Sequence, residues 1–316
     1  MSANRSHFVK LARRYLADRR ALGFALRIAG KRLLAFARFA DGISGAPLTL
    51  ALAVSWARAT QRPSPITWAR RLEIVRPFAR YLRQFDPGTE VPPSNLFGPA
   101  HRRLAPHVYS GEELRALLGE ASRLTPKGLR PTTVAAALGL LACTGLRASE
   151  ALGLCRDDVD LDTALLRVRE TKFRKSRLVP LHPSAVVALL QYAKLRDRLA
   201  PHPTSRCFFL VASDAPLSYS KLRTAFRRLR IRLGWQPGVG RLPRVHDLRH
   251  TFACRRLLQW HQDGLPVEAR LFDLSTYLGH AKVTDTYWYL SGFPELMDLV
   301  AQRFERFASS QEEVQS

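Results

Sequence analysis

At 316 residues, 46% of them hydrophobic, the chain is too long for one comfortable core and suits two domains of ordinary size. Its 50 Lys and Arg against 26 Asp and Glu leave a net charge of +24 and a pI ≈ 11.1, which points to a polyanionic partner, nucleic acid being the commonest. No apolar run reaches the roughly 18 residues of a membrane span, the Arg-rich start lacks the apolar stretch of a secretory signal, and Cys143, Cys155, Cys207 and Cys254 show neither CxxC nor Cys/His metal spacing. A cytoplasmic protein with reduced, mostly packed cysteines and no metal site is therefore expected.

The charge is not a tail. The first hundred residues and the rest each carry half of the excess, as two basic bodies gripping one partner would require. Over residues 8–16 the apolar Phe8, Leu11, Ala12, Tyr15 and Leu16 recur at helical spacing, with Arg13, Arg14, Arg19 and Arg20 on other faces. Leu33, Phe36 and Phe39 predict a second helix beside Lys31 and Arg32, and residues 49–60 a third. Leu72, Val75, Phe78, Ala79 and Leu82 predict a fourth, kinked at Pro77 and preceded by Arg70 and Arg71. Residues 1–86 thus read as a basic helical domain.

Prolines and glycines then break any periodicity across residues 85–107, so 87–108 reads as a linker, its HRR triplet able to touch phosphate in passing. A second domain, 109–316, opens at Ser110, where Ser-Gly-Glu-Glu has the form of a capping box ending at Glu113. Residues 132–143 predict an apolar helix stopping near Gly145. Residues 159–181 change to period two, with Leu166 and Val168 on one arm and Leu178 and Pro180 on the other, as in a small antiparallel sheet. The remainder is helical up to a polar tail.

Four stretches of the second domain hold candidate chemistry. In TGLRASEALGL, Arg147 follows a helix-ending glycine, and Glu150 is placed to fix its guanidinium as a phosphate fork. RETKFRKSRLVPL carries Lys172, Arg174 and Lys175 at the hairpin tip, where an ammonium can reach a leaving oxygen. HDLRHTFA sets His246 and Arg249 three residues apart on one helical face, while His250 is expected to point elsewhere and pack or cap. LGHAKVTDTYWYL brings His280 and two tyrosines, Tyr287 and Tyr289, which lie about 200° apart on a helix, so only one can face a site. A continuous helix would put Tyr287 on the face of His280, but Gly279 and Thr284 predict a break between them.

In this order and spacing the four motifs, spanning residues 106–293, resemble the tyrosine recombinase (phage integrase) family, and residues 6–85 resemble its helical core-binding domain, a SAM-like fold. The resemblance implies a mainly α fold with a small antiparallel β-sheet (α+β). It also implies a site-specific recombinase that cleaves and rejoins double-stranded DNA through a 3′-phosphotyrosyl link without metal, ATP or other cofactor. The family places its nucleophile nine residues after the histidine of LGH, which is Tyr289. Arg147, Arg249 and His280 would hold the phosphate, His246 accept the tyrosine proton or orient the clamp, Lys172 protonate the 5′-oxygen, and Glu150 support from behind. Where the family often has glycines beside the hairpin lysine, this chain has Thr171 and Phe173, which leaves Lys175 as the alternative.

The resemblance further implies a tetramer on DNA, working alone or with sibling recombinases, in the service of a mobile element. The stripe Leu296, Leu299, Val300, Phe304 and Phe307 after Pro294 would close its own domain or dock on a neighbouring protomer. For DNA contact the candidates are Arg13, Arg14, Lys31, Arg32, Arg70, Arg71, Arg174 and Lys175, together with Lys221, Arg227 and Arg228 of the segment 221–235, whose Leu222, Phe226 and Leu229 could equally mark a solvated helix over the core. A type IB topoisomerase-like relaxing enzyme and a noncatalytic DNA-binding regulator are the alternatives. The first would relax any supercoiled plasmid; the second should lack catalytic residues.

Overall fold

The computed structural model describes residues 7–43, 47–101, 105–169, 176–212, 215–235, 242–280 and 282–291. It is an α+β protein, mostly helical, in two compact units, Met1–Arg103 and Leu104–Ser316. Among the described residues no helix is long and apolar enough to cross a membrane.

The first unit packs four helices, α1 (His7–Ala21), α2 (Arg27–Ile43), α3 (Leu50–Arg58) and α4 (Pro65–Leu82). Each turns one apolar stripe inward, and Phe8, Leu16, Phe36, Trp56, Val75 and Phe78 meet in the centre. The free N–H groups of the first turns are satisfied locally. Asp41 of α2 accepts from the backbone N–H of Phe8 and Val9 at 2.7 and 3.1 Å, and the hydroxyls of Thr49 and Ser64 cap α3 and α4. α4 runs on through Pro77, past the one missing N–H.

Residues 87–101, expected as part of a linker, are fastened to this unit. Arg76 donates from Nε and Nη2 to the carbonyls of Pro92 and Pro93, Glu90 N–H reaches Leu48 O at 2.8 Å, and Phe97 packs its ring on Trp68. Proline-rich sequence here is a strap: the carbonyls of Pro92, Pro93 and Ala100 and the N–H of Glu90, which no sheet or helix uses, find partners on the bundle.

In the second unit the capping box forms as expected, with Ser110 and Glu113 each accepting from the other's backbone N–H at the start of α5 (Gly111–Ser122). α6 (Leu129–Thr144) is apolar over most of its surface past its first turn and runs through the core, which explains its lack of an amphipathic pattern. After the short α7 (Ala148–Leu152) come β1 (Val159–Asp160), β2 (Leu165–Val168) and β3 (Arg177–Pro180), an antiparallel sheet in that order. The register pairs Leu166 with Val179 and Val168 with Arg177. This corrects the expected inward face of the second arm: Val179 is buried, whereas Leu178 is 58% exposed and Pro180 also faces out. A one-residue change of parity exchanges every side chain between faces.

α8 (Pro183–Leu199), the hairpin β4 (Leu210–Ala212) and β5 (Ala215–Pro216), and α9 (Tyr219–Arg232) enclose the same core. α9 satisfies both readings of its sequence at once, burying Leu222, Phe226 and Leu229 and exposing Lys221, Arg227 and Arg228. A second cluster joins α10 (Asp247–Gln262), α11 (Val267–Leu278) and α12 (Thr284–Ser291) through Leu257, Leu271, Leu274 and Tyr289. Of the four cysteines only Cys254 is buried; Cys143 is exposed and Cys155 and Cys207 are half-buried, so the expected packing holds for one of them.

Candidate functional site

Two helices end against a pair of arginines, Arg147 at the start of α7 and Arg249 of α10. α6 stops at Gly145 and α11 at Gly279, both left-handed (φ 62° and 67°), and neither position has room for a side chain. A Cβ on Gly145 would meet the Phe252 ring at 2.5 Å, and one on Gly279 would meet Arg177 Nη1 at 2.9 Å. The carbonyls released at these ends are then taken by guanidinium groups. Arg249 donates from Nη1 to Gly145 O at 2.8 Å and from Nη2 to Leu278 O at 2.9 Å, while Arg147 Nη2 donates to Gly279 O at 2.8 Å. The negative ends of two helix dipoles thus fix two cations side by side.

Glu150 completes the frame. Its Oε1 accepts from Arg147 Nη1 at 2.8 Å, and its Oε2 accepts both from Arg177 Nη2 at 2.9 Å and from the backbone N–H of Arg147 at 3.0 Å. Burial would raise its carboxyl pKa, but the hydrogen bonds from Arg177 and the Arg147 backbone outweigh burial and hold it below the usual range. Glu150 therefore stays ionised and orients two arginines.

Arg177 was not among the expected residues. Its signal lay in the strand parity: once Val179 faces inward, so does Arg177, at the end of β3 nearest α7.

α10 supplies the rest from one turn. Its N-cap is His246, followed by Asp247, whose carboxylate is held by Arg244 at 2.6 Å, then by Arg249 and His250. Loss of water, then the charges of Arg249 and Arg244, lowers the pKa of His246 although the residue opens to solvent. His250 does not point elsewhere, as the sequence reading had it. The i, i+4 spacing from His246 sets the two rings 4.8 Å apart, and His250 Nδ1 lies 3.2 Å from the hydroxyl of Tyr289.

The break expected between Gly279 and Thr284 is present, and it gives the two tyrosines different surroundings. Tyr289 is 3% exposed and turns its hydroxyl toward His250, with its ring stacked 6.3 Å from that of His280; Tyr287 is half exposed on the opposite face. His280 shares a hydrogen bond with Thr286 Oγ1 at 2.7 Å, which ties the α11 end to α12.

The electrostatics are those of a site awaiting an anion. Arg249, buried and next to Arg147, has its pKa pulled down to about 10, and burial and the same two arginines lower His280 to about 4. Burial raises the Tyr289 phenol to about 12, with the charge of Arg249 pulling the other way. Three cations, one carboxylate and neutral imidazoles therefore face one spot beside a protonated phenol.

Of the expected site, Arg147, Glu150, His246, Arg249, His280 and Tyr289 come together. Lys172, Arg174 and Lys175 fall outside the described residues, as does the stripe from Leu296 to Phe307. In the first unit Arg13, Arg14, Lys31, Arg32 and Arg70 are exposed, with Arg70 Nε also donating to Ala100 O. Arg71 is not a free surface cation: its guanidinium lies 3.9 Å over the Trp56 ring and donates to Trp56 O at 2.7 Å.

Residues 108–294 match the family model described as Phage integrase family. Over 307 residues, 95% of this chain and 98% of the relative, the sequence is 40% identical to a protein of Sinorhizobium fredii (strain NBRC 101917 / NGR234) that carries the name "Putative integrase/recombinase y4rB". It is 32% identical over 238 residues, 73% of each protein, to the tyrosine recombinase XerD of Brucella abortus biovar 1 (strain 9-941). Among solved structures, the Tn1549 transposon integrase in complex with transposon right end DNA has a similar fold (TM-score 0.67, 18% identity, 95% of this chain and 99% of that one). So does the XerH site-specific recombinase bound to palindromic difH substrate, with TM-score 0.65, 17% identity and coverage of 88% and 79%.

Proposed function

The chain belongs to the phage integrase family of tyrosine recombinases, which are DNA strand-transferases, and from that premise we propose the residues and the chemistry by which it acts. Tyr289 is the nucleophile. Its oxygen attacks a scissile phosphate of double-stranded DNA, forming the Tyr–O–P bond as the P–O5′ bond breaks. Arg147 and Arg249 receive the nonbridging oxygens and His280 adds a hydrogen bond, where charge grows in the transition state. Lys172 or Lys175 protonates the departing 5′-oxygen. That hydroxyl later attacks the link on a partner strand, so the energy of the phosphodiester is retained and neither ATP nor a metal is called for.

The phenol proton goes to His250. Its Nδ1 stands 3.2 Å from the hydroxyl, and His246, one turn earlier on α10, orients the clamp beside Arg249. A phenol raised to about 12 needs an acceptor in hydrogen-bond reach. By analogy with the transposon integrase whose fold it shares, the enzyme serves a mobile element; action in the cytoplasm and assembly as a tetramer on its site, alone or with siblings, complete this reading.

The observation that carries this reading is the convergence of Arg147, Arg249, His280 and Tyr289 from four elements at the ends of α6 and α11. Covalent trapping tests it. With nicked suicide duplexes drawn from DNA flanking the gene, wild type and Tyr287→Phe should form denaturation-resistant adducts and Tyr289→Phe none; an adduct from Tyr289→Phe would reject the assignment. His250→Gln should slow adduct formation about 10²-fold or more and steepen its rise with pH, whereas an unchanged pH profile would return the proton to His246.

A further inference from the structure

Outside the site, two of the four cysteines meet across a strand pair. Cys155 lies three residues past α7, Cys207 three residues before β4, and they form an isolated antiparallel bridge. The backbone hydrogen bonds flank the pair rather than join it: Arg156 N–H donates to Arg206 O at 2.9 Å and Phe208 N–H to Leu154 O at 2.8 Å. That pattern defines a non-hydrogen-bonded pair, in which opposed Cα atoms stand about 4.5 Å apart and the side chains leave on the same face. Cross-linkable cysteines need Cα atoms about 4.4–6.8 Å apart.

The neighbours hold that geometry firmly. Leu154 and Phe208 are buried in the core, Asp158 accepts from the Cys155 N–H at 3.0 Å, and Arg196 donates to Cys207 O at 3.3 Å. Both thiols are free and half-buried, so a small reagent has access while the backbone need not move. Cys143 lies at the end of α6 and Cys254 within α10, and neither has a cysteine opposite it in a strand.

We propose that Cys155 and Cys207 are a vicinal thiol pair that exchanges with a small-molecule disulfide of the glutathione class. One thiolate attacks the reagent's sulfur, its S–S bond breaks, and one reagent thiol leaves with a proton. The second cysteine then attacks the protein sulfur of the mixed disulfide and displaces the other reagent thiol. Two protein thiols are oxidised to one disulfide as one reagent disulfide is reduced to two thiols. The closed loop, residues 155–207, contains β1, β2, β3 and α8, and its base lies just past the helix that carries Glu150. Oxidation therefore ties down the sheet that presents Arg177. The pairing stands independently of the strand-transfer reading.

The test uses the full-length reduced protein titrated with oxidised glutathione, quenched by alkylation and analysed by mass and by non-reducing peptide mapping. The expected product has lost two hydrogens, carries one Cys155–Cys207 link and two alkylated thiols, and reverts with dithiothreitol. In the Cys143→Ser/Cys254→Ser protein its formation should raise the thermal midpoint by about 5–10 °C. Cys155→Ser should stop at a single glutathione adduct on Cys207. A persistent mixed disulfide when both cysteines are present, a link between two chains, or alkylation of both Cys155 and Cys207 would overturn the proposal.

Discussion

The arginines of the two units do opposite work. Arg13, Arg14 and Arg32 of the helical bundle stand exposed, ready for whatever anion arrives, whereas Arg147, Arg177 and Arg249 are fixed to Glu150 or to backbone carbonyls before any DNA is present. In the proposed reading the first kind would supply affinity through counterion release and tolerate displacement. The second supplies geometry, and its cost in desolvation is visible in the lowered pKa values of Arg249 and His280. Composition alone, +24, does not distinguish them.

The comparison breaks first at Arg249. Arg249→Lys keeps the charge but cannot reach Gly145 O and Leu278 O together, so adduct formation at saturating DNA should fall about 10²–10³-fold while the dissociation constant changes less than threefold. A parallel loss of binding would mean that the buried arginines also act as affinity groups.

A smaller effect is expected on stability. His280 is neutral in the fold down to about pH 4, whereas an unfolded histidine protonates near 6.5. Between these values the unfolded chain binds the extra proton, so unfolding free energy is full above pH 6.5 and declines as pH falls toward 4, by about 1–3 kcal/mol. Denaturant melts of wild type and His280→Asn across this range check it; the slope should shrink in the variant, and a DNA duplex should flatten it for wild type.

Smallest is the surface. Arg13→Gln with Arg14→Gln should leave adduct formation at saturating DNA unchanged and lower the slope of log affinity against log salt by about one per residue in direct contact. A rate effect at saturation would show that this face positions DNA as well as attracting it.

How much of this was written in the sequence depends on whether local pattern or tertiary packing decided it. The four bundle helices, the Ser110 capping box and the break after Gly279 follow from spacing and from residues with strong conformational preferences, whereas Tyr289 was singled out by the resemblance to the family, since helical phase alone favoured Tyr287. The strand parity was misread because Leu178 and Pro180 are apolar and exposed, and Arg177 was lost with it. His250 was passed over because the i+3 partner of His246 was taken and the i+4 partner ignored, although a helix offers both. Arg71 looked like its neighbours; only the position of Trp56, fifteen residues earlier, turned it inward. The strap at 87–101 is the same kind of case, since its partners are isolated carbonyls with no period of their own.

Tyr289 is a member of the cluster formed with Leu257, Leu271 and Leu274. A ring of that volume cannot be traded for serine or cysteine without leaving a void, at about 3–5 kcal/mol for an aromatic cut back to a small side chain. A single substitution to a shorter nucleophile would thus unsettle α10, α11 and α12 before its reactivity mattered. If Tyr289 is the attacking group proposed above, its chemical identity is held in place by a steric veto, and any descendant that abandons the phenol must first rebuild the helices around it.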